Sequence, residues 1–269
     1  MNMVEPSYVA SLLTGIFYGV VSWFPVSLEG SLVPKLLSHT DPNLNSHIVP
    51  AYLGMTIAVI FYFRIPLERT IQKLLRGIYE SEIKFLLYAS LFTLLIGYPR
   101  GAGTSPSLSP KMADAVSAVI GVLIILLSTL KPGEREVIGN VESRMRGEKD
   151  EPTLLDSIVT GSSQGLAFIG GLSRSGLSLI PMLTAGISMR KALELSFLLA
   201  PVYFLLKLLF IESYTPVSPL DSFLVFSSSF AASLLTMHLL LRLGKKSERI
   251  TGLIIGAVAL LELLVGVMM

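Results

Sequence analysis

Residues 169–181 read IGGLSRSGLSLIP, and they gather more polar chemistry than any other apolar stretch of the chain. Arg174 stands between Ser173 and Ser175, with Gly170, Gly171 and Gly176 around it and Ser178 one turn further on. That set suits an anion. A guanidinium fork matches phosphate oxygens, the hydroxyls add donors, and glycines without a Cβ let backbone N–H groups approach a ligand closely. An arginine inside an apolar segment marks function by default, because burying it unpaired costs several kcal/mol. An internal ion pair with Glu29, Glu194 or Glu262 is the alternative, and both readings are compatible in a ligand-free protein.

Other reactive groups are sparse. With no cysteine, thiol nucleophiles, disulfides and thiolate metal sites are excluded, which leaves oxygen ligands and three histidines. His39 and His47 flank TDPNLN, which includes Asp41, and read as an exposed loop rather than a metal site. His238 reads as a hydrogen-bonded residue of a helix bundle. Lys207 and Glu262 are charges within apolar segments, expected to pair with one another or to snorkel.

The elements that carry these residues follow from composition. Hydrophobic residues make up 52% of the 269 and charged ones 15%, and several runs reach the roughly 20 apolar residues that cross a bilayer. The chain is expected to be a polytopic membrane protein. Its formal charge of +2 does not suggest nucleic acid as a partner. The N-terminus lacks the basic region and cleavage site of a secretory signal, so the first apolar segment is expected to stay.

A shift of 146 residues lays Ser11, Thr14, Gly15, Gly19, Ser27 and Gly30 on Ser157, Thr160, Gly161, Gly165, Ser173 and Gly176. Chance would give about one or two such matches. One residue of slippage then lays SLVP, at 31–34, on SLIP, at 178–181. The chain therefore reads as a duplication, with residues 1–130 as the first repeat, 131–152 as a charged cytoplasmic linker and 153–269 as the second repeat. In each copy, two apolar pieces too short to span flank a Gly/Pro/Ser break. This predicts a re-entrant helical hairpin, with a Gly-kinked full span as the alternative. Three longer segments follow each break, at 47–62, 83–98 and 112–130, and at 192–211, 219–241 and 250–267. Three crossings per half would invert the second half relative to the first. The expected fold is all-α, with six transmembrane helices and two re-entrant hairpins.

Lysine and arginine test that count. Sixteen of the 21 fall on one predicted side and only Lys35, Arg100 and Lys111 on the other, while Arg174 and Lys207 lie within membrane segments. This predicts a multi-pass plasma-membrane protein with both termini extracytoplasmic. Residues 66–82, PLERTIQKLLRGIYESE, space their apolar positions helically between charges and predict an interfacial amphipathic helix.

GLSRSGLS after QGLAFIG, together with FPVSLEG near the N-terminus and ELSFLLAPV after the second break, resembles the undecaprenyl-pyrophosphate phosphatase (bacitracin-resistance) family. The resemblance implies an inverted-repeat membrane enzyme that removes the terminal phosphate of a polyprenyl diphosphate and regenerates a monophosphate carrier lipid. The family's P-G-x-S-R-S-x-x-T maps onto Gly170, Gly171, Ser173, Arg174, Ser175 and Ser178, with Gly in place of Pro and Ser in place of Thr. Its E-x-x-x-E falls on Tyr18 and Ser22, and the histidine after P-V-S-S-T-G falls on Ser31, while Pro25, Val26, Ser27 and Gly30 match. Glu29 stands at the family's threonine.

The catalytic set implied by this resemblance is Ser27, Glu29, Ser173 and Arg174. The phosphate set is Ser31, Gly171, Arg174, Ser175, Gly176 and Ser178. Glu29 is read either as a base or ligand for a divalent cation, Mg or Ca, or as a structural partner of Arg174. The expected partners are the bilayer and a polyprenyl diphosphate or phosphate, with a homodimer left open. Trp23 is expected to pack against the partner tip or a prenyl chain. Two functions follow: a phosphatase in which Glu29 replaces the missing acids, or a binding protein or transporter for the lipid phosphate.

Overall fold

The computed structural model describes residues 8–28, 44–102, 107–130, 151–211 and 217–268. Among them are ten helices and no strand. These are α1 (Tyr8–Val21), α2 (Leu44–Tyr62), α3 (Arg64–Leu75), α4 (Ser81–Ala102), α5 (Pro110–Thr129), α6 (Leu154–Leu166), α7 (Arg174–Thr184), α8 (Met189–Leu209), α9 (Pro219–Lys246) and α10 (Glu248–Met268).

Local sequence sets their ends. Thr153 and Asp156 form a reciprocal capping box on α6, with bonds of 3.0 and 2.7 Å. Ser109 caps α5 and Ser218 caps α9, each just ahead of a proline in the first turn, where the missing N–H costs nothing. After α3 the chain turns at Gly77, whose φ of +72° disfavours any residue with a Cβ. The amphipathic helix expected over 66–82 therefore ends at Leu75, and α4 begins at Ser81.

Helices α4, α5, α8, α9 and α10 are long and apolar enough to cross a membrane, and α2 qualifies only together with α3, from which it bends by 73°. Many large side chains, among them Leu95, Val119, Leu126, Leu235 and Leu261, are exposed on these helices. Patches of that size on a water-soluble monomer would drive association, and lipid is their natural solvent. At about 1.5 Å per residue, α1, α6 and α7 reach only about 21, 20 and 16 Å, short of the ~30 Å hydrocarbon layer.

The largest interfaces join α5 to α10, α1 to α9, α4 to α6 and α2 to α9, with α8 set against α2, α4, α7 and α9. Glycine explains the closest of them. A Cβ on Gly15 would lie 2.5 Å from the Val225 carbonyl oxygen, and one on Gly161 would lie 2.3 Å from that of Ala89. Ser233 donates to the Gly19 carbonyl at 3.3 Å and Thr93 to the Gly161 carbonyl at 3.2 Å. Small residues with an interhelical hydroxyl bond are a standard device for packing helices in lipid.

Candidate functional site

Two breaks in the chain meet in the interior. After α1, Ser22, Trp23 and Phe24 turn back on the carbonyls of Tyr18, Val20 and Val21, at 3.2, 3.3 and 3.0 Å. Ahead of α7, Gly171 takes a φ of +93° and Ser173 caps the helix by accepting the Gly176 N–H at 3.4 Å. Arg174 is thus the first residue of α7, and its side chain reaches the other break. Its Nη2 donates to the Ser22 carbonyl at 3.0 Å and its Nη1 to the Ser196 carbonyl of α8 at 3.2 Å.

The guanidinium also lies over Trp23 and Phe204, 5.3 and 5.1 Å from the ring centroids. Trp23 itself packs edge-on to Phe197 at 5.0 Å. Arg174 is 5% exposed, and among the described residues no carboxylate reaches it. Glu194 lies 3.8 Å from Lys191, and Glu262 is committed elsewhere. Two of the three expected ion pairs are therefore not formed, and Glu29 lies outside the described residues. Neutral carbonyls and ring faces only partly offset a buried charge.

The hydroxyls divide into two groups. Ser175 donates to the Phe24 carbonyl, and Ser178 donates to the Ser175 carbonyl at 3.0 Å and lies 2.6 Å from the Ser196 hydroxyl. A Cβ on Gly176 would meet Ile120 at 2.4 Å and Pro25 at 3.0 Å. Gly176 and Ser178 thus bind the tip to its neighbours. A cavity of about 30 Å³ is lined by Ser22, Ser27, Gly171, Ser173, Arg174 and Ser175, with Tyr52, Tyr203 and Phe204 beside them. Tyr52 stacks on Phe204 at 5.1 Å, and Tyr203 donates to the Ala167 carbonyl at 3.3 Å. Of the residues singled out from sequence, Ser31 also lies outside the described ones.

The first tip is held from behind. The Ser27 N–H donates to both carboxylate oxygens of Glu262, at 3.1 and 3.2 Å, from a fully buried position on α10. Glu262 therefore anchors the tip, and no ion pair joins it to Lys207, whose ammonium lies 5.9 Å from the Phe168 ring centroid. Buried Asp114 of α5 approaches the same helix at Gly266. Tyr18 is buried, and Ser22 donates to its carbonyl at 2.7 Å. His47, expected in an exposed loop, is buried, because α2 already begins at Leu44.

The donor set offers hydroxyls, carbonyls and a guanidinium. Among the described residues the cavity lining holds no carboxylate, and no group of three His, Cys, Asp or Glu is placed to hold a metal. These residues fit an anion and do not fit a hard divalent cation, which takes carboxylate and carbonyl oxygens without an adjacent cationic group.

The family model "Bacitracin resistance protein BacA" matches residues 11–260. An undecaprenyl-diphosphatase of Methanococcoides burtonii is 27% identical over 254 residues, covering 88% of this chain and 91% of its own length. The Haloarcula marismortui protein of the same name is 26% identical over 252 residues, 89% and 90% of the two chains. That of Methanopyrus kandleri is 25% identical over 269 residues, 96% and 97%.

Proposed function

The chain belongs to the BacA family of bacitracin resistance proteins, and on that premise we propose that it is an integral-membrane phosphatase that removes the terminal phosphate of an undecaprenyl-type diphosphate. The observation that carries the reading is Arg174, buried where the two breaks meet with no carboxylate partner among the described residues. Arg174 and Ser175 hold the diphosphate. Ser173 is engaged as the α7 cap, so it serves as a ligand while Ser27 attacks the terminal phosphorus. The bond to the bridging oxygen breaks, the lipid monophosphate leaves, and water then releases the phosphate from Ser27. Glu29, two residues beyond Ser27, takes the serine proton. A cavity of about 30 Å³ admits a water or two, so the tips separate to take the headgroup.

The test is phosphate release from farnesyl diphosphate by the purified protein, with Mg²⁺, with Ca²⁺ and with chelator. Tyr18 and Ser22, at the family's glutamate positions, favour a second reading, in which the site only binds or carries the lipid phosphate. Binding of farnesyl monophosphate without phosphate release under any metal would establish that reading in place of the first.

The finer architecture is part of the proposal: two inverted repeats, each a re-entrant hairpin followed by three spans, with both termini extracytoplasmic. Paired interfaces support it, since α1 on α9 is matched by α6 on α4, and α2 on α9 by α8 on α4. The chain has no cysteine, so single cysteines report cleanly. Labelling is expected from the cytoplasm at Asn140 and Lys245 and from outside at Thr104 and Thr215, and opposite sides for Asn140 and Lys245 would dismantle the inverted repeat.

A further inference from the structure

A second cavity, of about 340 Å³ and open to the surface, lies between α2, α8 and α9 at the end that carries most of the basic residues, and it is lined by Arg190, Arg242, Lys245, Glu194, Tyr62 and His238. Gly244 makes it possible. A Cβ there would lie 3.2 Å from the Arg190 Cα, so the two helices close at this point and bring Arg242 and Lys245 beside Arg190. Among the described residues, none of these three cations makes an ion pair or hydrogen bond. The one acid of the lining, Glu194, lies 3.8 Å from Lys191, which also bonds Glu82. Tyr62 and His238 stand 3.3 Å apart and add a hydroxyl and a ring nitrogen.

Basic residues are ordinary at this end of a membrane protein, but the collection of three in one concavity with a single acid, itself 3.8 Å from Lys191, is not explained by orientation. Basic pockets between membrane helices take anionic headgroups. We propose that this cavity binds the phosphomonoester of a lipid. A phosphomonoester is close to doubly charged at neutral pH, which suits several cations better than a singly charged phosphodiester does. The apolar wall of Phe63, Pro66 and Leu241 accommodates the first part of a chain, which free phosphate would leave unused. Glu194 and Tyr203, lining the two cavities on the same helix, are separated by about 14 Å of rise. The site is therefore distinct from the Arg174 cavity, and its occupancy does not depend on hydrolysis there.

The experiment uses the full chain in phosphatidylcholine nanodiscs, with Arg174→Ala to silence the first cavity. Calorimetry should show saturable binding of farnesyl monophosphate, weakened tenfold or more when Arg190→Gln and Arg242→Gln are added. Inorganic phosphate should bind at least tenfold more weakly than the lipid, and equal affinity would overturn the lipid assignment. No binding to Arg174→Ala protein, or binding indifferent to the two added changes, would overturn the site. A diazirine-bearing prenyl phosphate on the unsubstituted protein gives an independent readout: adducts near Tyr62 and Leu241 are expected, and adducts confined to Tyr52 and Phe204 would refute it. Phosphate release from farnesyl diphosphate is measured separately, so failure of hydrolysis does not count against this cavity.

Discussion

The two breaks in the chain align at a shift of 146 residues, yet their tips make opposite contacts. Their helices pack alike: Gly15 and Gly161, aligned by that shift, abut the backbone carbonyls of Val225 and Ala89. Their tips differ. The second supplies Arg174 and Ser175 as donors, while the first answers with the carbonyls of Ser22 and Phe24 and turns its Ser27 N–H away to Glu262. Both glycines lie against a backbone carbonyl, whereas among the described residues of the two tips only the second carries a cation, Arg174.

That asymmetry breaks first at Arg174. Arg174→Ala should lower phosphate release by about 10²–10³-fold, the range for losing a preorganised donor to a developing charge. Arg174→Lys keeps the charge without the fork and should weaken lipid phosphate binding by about 1 to 3 kcal/mol. Unchanged binding in folded protein would reduce the residue to a strut between the tips.

Glu29→Gln comes next, with turnover expected to fall about a hundredfold and binding of the lipid monophosphate nearly unchanged, as when a general base is removed. Tyr18→Glu with Ser22→Glu should then raise turnover, since it returns two acids to the acceptor tip. A smaller effect sharpens the likeness of the two aligned glycines. Gly15→Ala and Gly161→Ala each force a backbone contact apart and should cost about 1 to 3 kcal/mol, to similar extents. Widely different shifts in thermal unfolding would mean that the glycines are not equivalent.

The smallest change tests the anchor. Glu262→Gln keeps an acceptor for Ser27 and should cost about 1 kcal/mol, whereas Glu262→Leu leaves a buried N–H unsatisfied and should cost about 1 to 3 kcal/mol. Because the Ser27 tip then loosens, kcat should fall more than KM rises, and rescue by the Gln form would separate anchoring from bulk.

Much of this architecture is visible in the order of residues alone. Apolar length marks five of the six expected spans, while α2 qualifies only together with α3, and the alignment at a shift of 146 singles out Gly15, Gly19, Gly161 and Gly165, each of which meets a neighbouring helix. Arg174 was legible because an arginine in such surroundings has few innocent explanations. Its partners were not, since every residue carries a carbonyl and nothing local selects those of Ser22 and Ser196. The role of Glu262 was hidden for the same reason. Its helix is apolar on either side of it from Ile250 onward, and only the packing of α10 brings it to the Ser27 tip. Gly176 read as a close-approach glycine, and what it approaches is Ile120 and Pro25.

The pairing of α1 with α9 and of α4 with α6 also bears on how the chain is made. When the ribosome has finished the first 130 residues, the helix that will cover Gly15 and Gly19 has not yet been synthesised, and the face of α4 that will receive Gly161 is still turned to lipid or translocon. Neither half of the chain covers these glycines by itself. Insertion of the first half is thus a provisional state, and the polar junction around Arg174 forms only once α8 has brought Ser196 and Phe204 to it.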